Sequence, residues 1–289
     1  MLSSPREFIF EGAISQMKQK TVLILVLILA IGLGVAEAAP ERIVSLAPSI
    51  TENLFSLGVG EKVVGVTSWC DYPAEARTRT VIGDALNLNI ELLLSLEPDL
   101  VVGDSTLVQS HIESLEALGI PTFIIGPSTI AEVEQSLINL GDVVGAKEKG
   151  EELALAMRTR QEELVQRAQR PRAVRVFLEI WNEPLMTVGP GSFMDELIVL
   201  AGGQNIAGDS PNPWPIFSEE LVIERDPEVV ILTSFNLEEA LSRPAWQVTT
   251  ALQKGDVYEL NPDLYSRTTP RLLDALAELI AILDAVGAK

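Results

Sequence analysis

The sequence predicts an α/β protein of two Rossmann-like lobes with parallel sheets, joined by a single long helix, with a ligand cleft between the lobes. Three observations predict it. Short apolar runs alternate with amphipathic stretches along the chain, the pattern of successive βαβ units. A polar segment without proline, AKEKGEELALAMRTRQEELVQRAQR over 146–170, interrupts that alternation once. Segments on either side of it repeat: Glu91 to Val102 aligns without gaps with Glu220 to Ile231, and 54–65 with 197–208, in the same order in both halves.

In chain order, Lys18 and Lys20 precede an almost wholly apolar run, Val22 to Val35, and Ala36-Glu37-Ala38 has the small–x–small spacing of a cleavage site. Residues 1–38 therefore read as a signal peptide, with Met17 as an alternative start that would make 1–16 an extension. The run is short for a bilayer span; a retained anchor is the alternative. No cysteine near the cleavage site offers a lipid attachment point. The first lobe, 39–145, opens with a strand at Arg42–Leu46, then a helix from Thr51 to Leu57 closed by Gly58 and a strand from Lys62 to Val66. Strands follow at Leu100–Gly103 and Pro121–Ile125, around a helix from about Val108 to Leu118. The connector, 146–171, reads as one helix of about 24 residues, roughly 36 Å, stopped by Pro171. The second lobe, 172–289, starts with a strand at Val174–Leu178. Open parallel sheets bind ligands beyond the carboxyl ends of their strands, so two facing lobes predict a cleft between them. A single helical connector predicts little lobe closure.

Composition narrows the function. Apolar residues at 47% and charged residues at 21% fit a globular protein, and a net charge of −20 excludes nucleic acid and anionic lipid as partners. One cysteine, Cys70, cannot form an internal disulfide. The sole histidine, His111, sits in a helical stretch beside Glu113 and Glu116, and no metal-ligand spacing occurs. Ser192, after the Gly189-Pro190-Gly191 turn, has no base marked beside it. Cys70 and His111 fall in separate units without an oxyanion motif. A binding protein without catalytic residues, metal or cofactor is the expectation. Cys70 reads as a small buried hydrophobe, with a thiolate ligand to a metal as the alternative.

Trp69, Trp181 and Trp214 all fall just beyond strand ends or in strand-to-helix loops, the side on which such lobes bind ligands. Proline on both sides of Trp214 keeps it out of any helix. Either the three indoles plug their own lobes or they line a cleft for a large, flat, partly apolar ligand. Glu91 and Glu220 each follow an N-cap residue, Asn89 and Ser218, by two positions. They complement helix dipoles or form two acidic docking points for a two-fold partner.

Several segments carry a resemblance: IVSLAPSITENLFSLG (43–58), VGVTSWCDYPAEA (64–76), IELLLSLEPDLVV (90–102), IVLAGGQNIAGDS (198–210), PWPIFSEE (213–220) and PDLYSRTTPR (262–271). From about Glu41 to Leu283 the chain resembles the periplasmic cobalamin-binding proteins of ABC importers, within a wider group that binds cobalamin, haem and ferric siderophores. The resemblance implies a monomer, exported to the periplasm without membrane insertion, that captures a corrinoid and hands it to the importer permease. It implies that Trp69 and Trp214 contact the corrin, that Asp263 and Arg267 approach its polar periphery, and that Glu91 and Glu220 dock on permease arginines. The chain departs from the pattern at Asp84-Ala85-Leu86, where the family can carry Trp, and at Met186, a ligand-binding position where the family has Phe. Trp181 stands where the family can have Gly, and compensates for the missing ring. A haem or siderophore receptor of the same architecture is the nearest alternative, with Tyr72 and Tyr265 as possible axial ligands; a tetrapyrrole-processing enzyme is a remote one.

Overall fold

A computed structural model describes residues 38–84, 87–105, 109–168, 170–234 and 236–288; the apolar N-terminal run read as a signal peptide lies outside them. In the first lobe the chain runs β1 (Ile43–Ser45), α1 (Pro48–Ser56), β2 (Val63–Val66), β3 (Thr80–Val81), α2 (Ile90–Ser95), β4 (Leu100–Asp104), α3 (Gln109–Ala117) and β5 (Thr122–Ile125). The strands lie in the order β3-β2-β1-β4-β5, all parallel. Both faces are covered, which is why the strands read as nearly continuous apolar runs. Ile43, Val63 and Val102 pack with Ile50 and Leu54 of α1 on one face. Val44 and Val101 pack with Leu93 of α2 and Leu115 of α3 on the other.

The connector contains the long helix, α5 (Lys147–Arg167), 21 residues and about 32 Å. It does not stand alone. The preceding helix, α4 (Ile130–Val143), lies along it, and glycines let the two backbones close in: a Cβ on Gly150 would sit 2.6 Å from the Leu137 carbonyl oxygen. Ile130, Val133 and Leu137 of α4 belong to the second lobe's core, whereas Leu140 and Val144 belong to the first lobe's. The lobes are thus joined by a helix pair whose shorter member is rooted in both cores.

The second lobe runs β6 (Val174–Asn182), β7 (Leu185–Thr187), α6 (Phe193–Leu200), β8 (Gly203–Asn205), α7 (Glu219–Arg225), β9 (Val229–Leu232), α8 (Leu237–Ser242), α9 (Thr250–Lys254), β10 (Val257–Glu259), α10 (Pro262–Ser266) and α11 (Leu272–Gly287). Its sheet has the order β10-β9-β6-β7, with β8 also on β6. Contacts are parallel except β6–β7, which is an antiparallel hairpin rather than part of an all-parallel sheet. The cause is local. β6 runs for nine residues and turns back at Glu183-Pro184, so its end pairs with the chain that follows.

Candidate functional site

A cleft of about 930 Å³ lies between the lobes, near the upper end of small-molecule sites. Its first-lobe wall is made by residues just past strand ends: Ala47 after β1, Thr67 after β2, Asp104 at the end of β4 and Gly126 after β5. That is where a parallel sheet leaves free main-chain ends and short loops. The second-lobe wall comes from the Gly191–Met194 turn into α6, from Pro213-Trp214, and from Asp263 to Thr268.

Trp69 projects from the turn after β2, held by the Ser68 amide donating to the Gly83 carbonyl (2.9 Å) and the Cys70 amide donating to the Thr67 carbonyl (3.1 Å). Its side chain is 71% exposed. Trp214 is held differently. The Thr187 and Gly189 amides donate to the carbonyls of Pro215 and Pro213, which pins the loop along the chain leaving β7. Its ring meets Phe193 edge to face, centroids 6.1 Å apart. Phe193 also lines the cleft, and the sequence reading missed it. The signal was present: Ser192 caps α6 through the Asp195 amide (3.1 Å), so the residue after it opens the helix at the cleft wall.

Asp263 and Arg267 line the cleft as well. The Arg267 guanidinium, however, is already engaged. Its Nη1 donates to Glu52 Oε1 (2.7 Å) and Asp71 Oδ1 (2.8 Å), and Nη2 lies 2.8 Å from Asp263 Oδ1. Burial opposes its charge, but hydrogen bonds to Glu52 and Asp71 and the nearby Asp263 hold its pKa above the ordinary guanidinium value. Glu52, buried in α1, also accepts from Arg271 at 3.1 Å, and Arg271 lies over the Tyr72 ring, 3.8 Å from its centroid. Asn53 Nδ2 donates to the Thr268 carbonyl (3.1 Å). Acids from the first lobe and arginines from the second therefore form a clasp at the cleft floor. With Asp84, Asp104 and Asp263 against Arg267, the charged lining is acidic on balance.

Trp181 and Met186 do not line this cleft. They face each other across the β6–β7 hairpin, which carries them beyond the ordinary strand end. The exposed Trp181 indole donates to the Glu183 carbonyl (2.8 Å). Glu91 and Glu220 lie on exposed faces of α2 and α7, capped by Asn89 and Ser218 as expected. Asp84 lines the cleft, while Ala85 and Leu86 lie outside the described residues. Cys70 is buried in the first lobe's core, its Sγ 3.2 Å from Thr67 Oγ1. Tyr265 is fully buried, its hydroxyl donating to the Ala275 carbonyl and its pKa raised by burial. Neither it, Tyr72 nor His111 lines the cleft. Among the described residues no His/Cys/Asp/Glu group has metal-binding geometry, and no helix is long and apolar enough to cross a membrane.

Comparison with known proteins adds a second line. Residues 43–264 match the family described as periplasmic binding protein. The vitamin B12-binding protein of Pectobacterium carotovorum subsp. carotovorum is 31% identical, over 87% of this chain and 91% of its own length. A Bacillus subtilis protein named as an uncharacterized ABC transporter substrate-binding lipoprotein, YvrC, is also 31% identical, over 92% of this chain and 87% of its own. The solved Vibrio cholerae periplasmic vitamin B12-binding protein superposes with a TM-score of 0.77 at 30% identity, covering 87% of this chain and 99% of that one. The periplasmic haem-binding protein RhuT of Roseiflexus sp. RS-1 superposes at 0.78 with 29% identity, covering 86% and 99%.

Proposed function

The chain belongs to the periplasmic binding protein family, and from that premise we propose that it captures a corrinoid of the cobalamin type outside the cytoplasm and delivers it to an ABC importer. One observation carries the choice of ligand: the cleft offers two indoles from opposite lobes and an acid-rich rim, with no histidine or tyrosine among its described lining. Indole faces suit a broad macrocycle. Carboxylates suit the many amide N–H donors at a corrin's edge. A corrinoid's cobalt brings axial ligands of its own. Haem instead calls for an axial protein ligand, commonly His or Tyr, and its propionates would face Asp84, Asp104 and Asp263. The relation to RhuT favours haem as the second reading, and this lining disfavours it.

Capture is non-covalent, by stacking and edge hydrogen bonds, and no bond in the ligand is made or broken. The protein acts as an exported monomer without a resident cofactor, freed from its N-terminal run by cleavage near Ala38. Delivery uses Glu91 and Glu220, one per lobe, as docking points on permease arginines. Calorimetric titration with cyanocobalamin, cobinamide, haemin and a ferric siderophore tests the ligand. Both corrinoids are expected to bind and haemin to fail. Haemin binding without either corrinoid overturns the proposal.

A further inference from the structure

The repeat seen in the sequence extends to the hydrogen bonds that hold α2 and α7. Both helices end in a non-glycine residue with left-handed backbone, Glu97 (φ +47°) and Asp226 (φ +43°), and both continue through proline into a central strand. β1 meets β4 at Ile43–Leu100, and β6 meets β9 at Val176–Val229, so Arg42 and Arg175 are equivalent. Each does the same work. The Arg42 amide donates to Asp99 Oδ1 (2.9 Å), and its Nε to the Glu97 carbonyl (3.2 Å). The Arg175 amide donates to Glu228 Oε2 (3.2 Å), and its Nε to the Asp226 carbonyl (2.7 Å). Each short helix is strapped to its sheet at the same point.

The exposed faces match too. From Glu91 to Leu96 the residues run exposed, intermediate, buried, exposed, exposed, intermediate, and Glu220 to Arg225 repeat that run residue by residue. At the fourth position each lobe leaves a large aliphatic side chain in solvent: Leu94 at 40% and Ile223 at 37%. Residues three apart on a helix are surface neighbours, with Cβ atoms about 5–6 Å apart. Each lobe therefore shows one glutamate beside one aliphatic residue. The Glu220 carboxyl is held below its usual range by its own backbone amide and the Ser218 hydroxyl, so that point stays charged. A helix dipole accounts for an acid in a first turn; it does not account for an aliphatic residue left in water at the same place in both lobes.

We propose that Leu94 and Ile223 are the apolar half of a two-point docking surface, each seated beside its glutamate in a basic-rimmed apolar recess that the partner presents twice. A permease built of two like subunits would present such a recess twice. The inference rests on the importer reading above and adds to it a contact that salt does not screen.

The test is binding of the protein to its importer reconstituted in nanodiscs, at low and high salt, with corrinoid titration and thermal melts as controls on the fold. Leu94→Asn and Ile223→Asn are each expected to weaken importer binding about tenfold at both salt concentrations, leaving ligand affinity unchanged. Glu91→Lys with Glu220→Lys is expected to weaken it chiefly at low salt. Loss with the glutamate pair but wild-type binding by both asparagine variants overturns this inference and leaves the docking reading standing. Wild-type binding by all of them overturns both. A loss at only one of positions 94 and 223 overturns the two-point arrangement.

Discussion

The first lobe straps α2 to its sheet with one arginine and one carboxylate: Arg42 reaches Asp99 and two carbonyls, in an exposed setting. The second lobe straps α7 with the same main-chain geometry and a denser set of charges. Glu228 is buried and accepts two hydrogen bonds from Arg172 (2.7 and 2.8 Å), with Arg175 alongside at 3.3 Å. Asp226 is held by Arg175 and by the Thr250 amide and hydroxyl. The helix–turn–strand path is the same, although Asp99 takes main-chain amides while Glu228 takes guanidinium groups as well. Hydrogen bonds to main-chain carbonyls fix that path, and the surrounding charges set how firmly it is held. The cleft aromatics differ in the same sense, with Trp69 bare on one wall and Trp214 braced by Phe193 on the other.

The comparison breaks most sharply where the lobes meet. Glu52 of the first lobe holds Arg267 and Arg271 of the second. Glu52→Ala leaves a buried Arg267 with fewer anionic partners, and the expected loss is about 3–5 kcal/mol, the usual cost of removing one member of a buried pair. Urea unfolding measures it. A loss under about 1 kcal/mol would mean that the α4–α5 pair holds the lobes without the clasp. Small-angle scattering bears on the same contact. With both clasp and helix pair in place, wild-type profiles with and without cyanocobalamin are expected to coincide, and a marked compaction on binding would refute that rigidity.

The straps come next. Arg172 hydrogen bonds, against the opposing effect of burial, lower Glu228 from 4.5 to about 2. A group whose folded pKa is depressed adds stability above its unfolded pKa and loses it as pH falls through the folded value. The Glu228 contribution is therefore complete above about 4.5 and drains away toward about 2. Solvent around Arg172 screens the pair, so Glu228→Gln is expected to cost about 1–2 kcal/mol at neutral pH. The difference from wild type should shrink as pH falls from 5 toward 2.5. Asp99→Asn should cost less, about 0.5–1 kcal/mol. Equal losses would show that the added charges of the second lobe contribute nothing to its strap.

Much of this was legible in the residues. Apolar runs, proline turns and N-cap spacings placed β1, β2, β4, β5, β6 and β9 and helices α2 and α7, because those features act over a few residues; β3, β7, β8 and β10, two or three residues each, are too short to show a pattern. Pro213-Trp214-Pro215 marked a restrained loop for the same reason. The clasp was not legible, since Glu52 and Arg267 lie 215 residues apart and only the packed lobes bring them together. Trp181 read as a strand-end aromatic and is one: β6 overruns its neighbour there and folds into a hairpin, which leaves Trp181 exposed and outside the residues that line the cleft. Phe193 was hidden among the apolar residues that open α6, where its role depends on the Trp214 ring that meets it. The single connecting helix was visible from its length and polarity. Its partner α4 was not, because the two cores that share α4 cannot be told apart in one apolar stripe.

The smallest expected effects sharpen the contrast between the two cleft walls. Trp214 is ordered before any ligand arrives: prolines flank it, Phe193 backs its ring, and it is 37% exposed. Trp69 must give up rotamer freedom on binding, at about 0.5–1.5 kcal/mol for an immobilised side chain. Trp214→Ala is therefore expected to weaken cyanocobalamin binding about tenfold or more, and Trp69→Ala several-fold less than that. Trp181→Ala, outside the cleft lining, should leave the affinity within twofold of wild type. Phe193→Leu removes the brace and keeps the apolar volume, so it should bring Trp214 toward the Trp69 value. If Trp69→Ala proves as costly as Trp214→Ala while Phe193→Leu changes nothing, bracing does not set the contribution of an indole here, and both walls act through ring area alone.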